Sequence, residues 1–158
     1  MEKITPLEQL EQEIKDKGID VIEYPFTSDR LKGICLYQAD KGKKYIGINK
    51  SIKTSKEKRC ILSEELTHHE YSIGDITTDT KAENFARRKS REKLISLDSL
   101  ISAYEKEPAN FYELADNLDV TYEILMEALE DYMLKYGLNT KHKGYLITFS
   151  PCFYIEKI

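Results

Sequence analysis

A chain of 158 residues, 41% hydrophobic and 33% charged, can bury a core and carries too much apolar side chain to be disordered. Its net charge of −4 excludes bulk attraction to nucleic acid or to an anionic membrane surface as the basis of function. The opening residues M-E-K-I-T-P-L-E-Q-L are too polar for a signal peptide and no run of about 18 apolar residues occurs, so a cytoplasmic protein without membrane partners is expected.

Pro6 opens a short helix in which Leu7, Leu10 and Ile14 recur at helical spacing until Gly18 stops the pattern. Residues 19 to 52 contain three β-prone runs, V-I-E-Y, G-I-C-L-Y and K-Y-I-G-I-N, with a turn at Asp40-Lys41-Gly42, and these predict a small antiparallel sheet. Thr54 and Glu57 have capping-box spacing before an apolar stripe of Ile61, Leu62 and Leu66, so a helix over about 55–72 is expected to end before Gly74. Thr80 and Glu83 repeat the capping-box spacing and open a helical stretch over about 80–104, with a break, which Pro108 ends.

Two more helices are expected at residues 111–117 and 121–136, the second burying Leu125, Ala128, Leu129 and Tyr132 and ending at Gly137. Y-L-I-T-F and C-F-Y-I-E then predict a C-terminal β-hairpin around Ser150-Pro151, with His142 solvated in the polar K-H-K loop before it. Strands, helices and strands in that order make a single α+β domain over residues 1–158. Cys35, Cys60 and Cys152 are widely spaced, odd in number and flanked by apolar residues, which reads as three buried reduced thiols.

Residues 63 to 70, S-E-E-L-T-H-H-E, carry the chemistry. They nearly spell H-E-x-x-H, in which residues one and five of the motif hold a metal and the glutamate at the second activates metal-bound water. Glu64 stands where the first histidine belongs. Helical spacing stacks Glu64 and His68 on one face, with Glu65 about 100° round as the general base. The register Glu65 and His69 would put Leu66 at the base position, and H-E-Y-S-I has an isoleucine where the second histidine is required. On a solvent-facing helix the same residues would make only acid-to-imidazole pairs, each worth a few tenths of a kcal/mol. His69 is open to two readings, a supporting donor to the site or helix surface.

R-C-I-L-S-E-E-L-T-H-H-E-Y-S-I-G-D-I followed by K-A-E-N-F-A-R-R-K-S-R-E-K-L-I-S resembles the ImmA/IrrE family of phage and mobile-element metallo-endopeptidases. The nearest branch, from Firmicutes and their prophages, itself has glutamate at the first motif position, and its helices read roughly L-A-E-E-L-G-H and E-x-x-A-R. The likeness runs from residue 58 to the C-terminus, with Thr67 where glycine is common and Lys89 where an aromatic is common. It implies N-terminal elements packed on a mostly helical zincin-like core. It also implies a third ligand at Glu83, the residue otherwise read as a capping-box glutamate.

The ligand set would then be Glu64, His68 and Glu83, holding a divalent metal such as zinc, with Glu65 catalytic. Two carboxylates nominally cancel a divalent charge and lower its Lewis acidity, and the harder oxygen set admits manganese or iron. The implied substrate is a helix-turn-helix phage repressor, cleaved to relieve repression. The competing expectation is a weak or inactive relative that regulates a repressor by binding it.

Residues 110–136 superficially resemble a DNA-reading helix-turn-helix, but hold seven acids against one base, Lys135, which repels phosphate. No direct DNA binding is expected from them. The basic run of residues 81–93 reads as a solvated helix face, or alternatively as a docking surface for an acidic partner.

Overall fold

A computed structural model, which describes residues 2–71 and 80–158, begins with a complete capping box. Thr5 Oγ1 accepts the Glu8 amide at 3.1 Å and Glu8 Oε2 accepts the Thr5 amide at 2.8 Å, so two donors at the start of helix α1 (Pro6–Asp16) are satisfied reciprocally. Pro6 costs nothing at this first position, where its missing amide would have no helical partner. Gly18, at φ 75°, turns the chain out of α1.

The described residues contain six helices and two three-stranded sheets, and group into two compact units, Met1–Ser90 and Arg91–Ile158. The α+β class is as the sequence indicates. None of these helices is long and apolar enough to cross a membrane.

In the first unit, β1 (Ile19–Tyr24), β2 (Gly33–Gln38) and β3 (Lys43–Asn49) lie in the order β1-β3-β2. The antiparallel sheet expected here is mixed instead: β2 and β3 form the hairpin around Gly42, but β1 pairs with β3 in parallel. The chain between β1 and β2 carries past the hairpin, and the central place goes to β3, the most buried of the three strands. The register sets Val21 and Cys35 beside Ile46, which is fully buried.

Helix α2 (Ser55–Tyr71) starts with the Glu57 amide donating to Thr54 Oγ1 at 3.2 Å. Leu62 and Leu66 seat it in a core with Leu10, Ile14, Ile19, Ile46 and Ile48, while Ile61 packs at the margin. Gly74, the expected terminator, lies outside the described residues.

Helix α3 (Thr80–Leu94) leads to α4 (Leu97–Tyr104), and the expected break falls where Ser96 caps α4 by accepting the Ser99 amide. Thr80 is already helical, so the expected box with Glu83 is not its arrangement. In the second unit α5 (Phe111–Leu118) and α6 (Tyr122–Tyr136) are capped by Asn110 and Thr121, with Asp119 in the left-handed conformation between them. Leu125, Ala128, Leu129 and Tyr132 are buried as their spacing requires.

The C-terminal hairpin gains a strand. β4 (Asn139–His142), β5 (Tyr145–Thr148) and β6 (Tyr154–Lys157) form an antiparallel sheet in that order. The polar N-T-K-H run hides β4 from a hydrophobic pattern, but Lys143 and Gly144, both at positive φ, close the tight turn that pairs it with β5. His142 is thereby a strand residue, 2.8 Å from Asp98 Oδ1. The reading of three buried thiols also needs correction: all are free, but only Cys60 is buried, Cys35 is intermediate and Cys152, in the turn after Pro151, is exposed.

Leu66 is 1% exposed, so Leu66→Ala is expected to cost about 2–5 kcal/mol in chemical denaturation. A loss well under about 1 kcal/mol would remove it from the core.

Candidate metal centre

Helix α2 is buried on more than one side. Leu62 and Leu66 meet the core, Ser63 and His68 meet α3, and Glu65 and His69 meet the sheet. Ser90 of α3 donates to Ser63 Oγ at 3.0 Å, both residues being buried, and Thr67 Oγ1 donates to the Ser63 carbonyl at 2.8 Å. Farther along, Tyr71 and Phe85 meet edge to face with centroids 5.5 Å apart. These contacts run the two helices past one another so that residues 64 and 68 confront 83 and 87.

Glu64, His68 and Glu83 come together there, with one possible ligand atom from each lying within 4.8 Å of the other two. His68 Nε2 stands 3.9 Å from Glu64 Oε1 and 3.8 Å from Glu83 Oε2, and it is a buried nitrogen with no hydrogen-bond partner. Those separations are too long for hydrogen bonds. They suit atoms that share an ion at about 2.0–2.2 Å from each. A buried polar atom without a partner carries a desolvation cost, and an ion between the three groups would remove it. The residues thus form a group able to hold a metal ion.

The electrostatics separate two adjacent acids. Burial tends to raise Glu64, but His68 and Arg87 outweigh it and hold the carboxyl below its usual range. Glu65, 8% exposed, is pushed up to about 7 by burial, against the attraction of the His68 charge. The facing Glu64 raises His68 above the usual histidine range, burial opposes, and Glu65 and Glu83 add to the rise.

His69 does not join this group. Its Nε2 lies 2.8 Å from the Tyr45 carbonyl and ties α2 to β3, neither a donor to a ligand nor free helix surface. Burial lowers its pKa. Glu83 takes the ligand geometry rather than the capping one, its Oε2 facing His68 and its Oε1 2.9 Å from Arg87 Nη2.

Two residues of the site were not evident in the sequence. Arg87 belonged to a run read as solvated, yet its Nε donates to Glu64 Oε1 at 3.0 Å while Nη2 faces Glu83. Its place four residues after Glu83 was the available signal. Gly33 lies on β2 against α2: a Cβ there would stand 2.6 Å from Ile61 Cγ2 and 3.2 Å from Glu65 Oε1. A glycine inside a strand often marks such an approach. Beside it, burial and then the Glu65 charge push the Cys35 thiol up to about 12, so it is no nucleophile.

No family model, curated protein or solved structure matches the chain.

Gly33→Ala is expected to lower stability by about 1–3 kcal/mol through overpacking against Ile61 and Glu65, read by urea unfolding. Glu65 makes metal-free protein pH-sensitive. Its folded pKa lies above the usual 4.5, so the folded state binds its proton more tightly and stability falls as pH rises from about 4.5 to 7. Glu65→Gln should flatten that slope, leaving the variant about 3 kcal/mol more stable relative to wild type at pH 8 than at pH 4. Equal pH dependence in both would place Glu65 in water.

Proposed function

We propose that the chain is a zincin-like metallo-endopeptidase of ImmA/IrrE type, and that its substrate is a helix-turn-helix repressor of a prophage or mobile element. The observation that carries this reading is the unpartnered, buried His68 Nε2 facing two carboxylates from separate segments. An i,i+4 pair alone would need no third group from α3. Glu83 supplies it.

Glu64, His68 and Glu83 would hold a divalent ion, zinc in the first place, with manganese or iron admitted by the oxygen donors. Such an ion supplies Lewis acidity toward a peptide carbonyl and toward water. Glu65, adjacent to Glu64 on α2, would take the proton from the attacking water and pass it to the departing amine. Arg87 pairs with both carboxylates. Cleavage would take place in the cytoplasm and relieve repression.

The acidic helices support a protein substrate rather than DNA. Glu127 and Asp131 of α6 both accept from Arg91, so part of that face serves intramolecular pairing, and the rest still repels phosphate.

A second reading has its own observation. Two carboxylates in the group Glu64, His68 and Glu83 would cancel the charge of a divalent ion that two imidazoles and one carboxylate leave positive, which favours a weak or inactive peptidase that regulates a repressor by binding it.

The readings separate on purified protein incubated with the helix-turn-helix repressor encoded beside it, alongside metal analysis. Wild type is expected to carry a divalent ion and cut the repressor at one site. His68→Ala and Glu83→Ala should lose the ion, while Glu65→Gln keeps it and loses at least about 100-fold in cleavage. A metal-free protein that binds the repressor and leaves it intact would establish the second reading.

A further inference from the structure

A site with two carboxylates has two problems. The acids repel one another unless something holds them together, and they cancel the charge of the ion they bind. Arg87 is placed to answer both. Its Nε donates to Glu64 Oε1 at 3.0 Å and its Nη2 lies 2.9 Å from Glu83 Oε1, so one rigid guanidinium plane spans a carboxylate on α2 and another on α3. Glu83 Oε2 is left facing His68.

We propose that Arg87 is a positioning residue that clasps Glu64 and Glu83 together on His68 and supplies the positive charge that a histidine at position 64 would make unnecessary. This rests on the metal-site reading of the same residues.

The charges support it. A divalent ion with two carboxylates sums to zero, and Arg87 brings the group to +1, the value of a divalent ion held by two imidazoles and one carboxylate. The side chain is 51% exposed, so its charge acts on the ion chiefly through its direct bonds to the two carboxylates, whose charge it partly neutralises, and solvent weakens the direct repulsion. The planar fork matters, because an ammonium would act as a single point charge between two carboxylates.

The experiment measures zinc affinity by competition with a chromophoric chelator for wild type, Arg87→Gln and Arg87→Lys, and for Arg87→Gln in a Glu64→His background. Cobalt absorption spectra of each report the coordination, and circular dichroism the fold. Arg87→Gln should bind zinc about 10-fold more weakly with an unchanged cobalt spectrum, as expected when a group that orients ligands is lost. Arg87→Lys should recover part of the affinity. With Glu64→His, where one carboxylate is gone, Arg87→Gln should matter less than about 3-fold, the difference being the coupling between residues 64 and 87.

Zinc binding by Arg87→Gln as tight as wild type, or an equal loss in both backgrounds, overturns the clasp and leaves the metal site standing. Wild type without zinc binding that depends on His68 overturns both.

Discussion

Helix α2 buries Ser63, Glu65, Thr67 and His68 together with Leu62 and Leu66, and every polar group taken out of water must find a partner or lose stability. The surroundings of α2 answer this demand one side at a time. Ser63 is met by Ser90 and Thr67 by a carbonyl one turn back, while Glu65 fits in the room Gly33 leaves on β2 and its pKa is raised by burial. His68 alone keeps a buried nitrogen without a hydrogen bond, and two carboxylates stand just outside bonding distance of it. The site is the part of that accounting left open to a ligand.

Neighbouring residues on one helix acquire opposite character from the sides they face. Glu64 looks toward Arg87 and His68 and is held ionised, while Glu65 looks toward the sheet and is held near neutrality by burial. Two titratable groups driven apart by their environments is the arrangement that assigns separate roles to chemically identical side chains. Here one carboxylate is lowered by charge pairing and the other raised by burial. The next pair divides the same way, His68 joining the acids and His69 tying α2 to the Tyr45 carbonyl.

The second unit uses its charges for construction. Arg91 pairs with Glu127 and Asp131, and the Tyr132 hydroxyl donates to the buried Ile95 carbonyl at 2.6 Å. Of the seven acids over residues 110–136, Glu127 and Asp131 are thus paired within the unit.

Sequence by itself determined the helices, their buried faces and the local half of the site. The spacings of Leu10 with Ile14, Leu62 with Leu66 and Leu125 with Tyr132 report burial on a helix face directly, because one face must meet a core. Glu64 and His68 share a face for the same reason. Strand pairing was decided by tertiary structure: a β-prone run does not state its partner, so β1 joined β3 in parallel and the polar β4 joined β5 through a turn. The convergence of Glu83 and Arg87 on Glu64, the room at Gly33 and the bond from His69 to β3 were decided there too. Each depends on which side of α2 a second element covers, and periodicity along one helix carries no information about the segment that packs across from it.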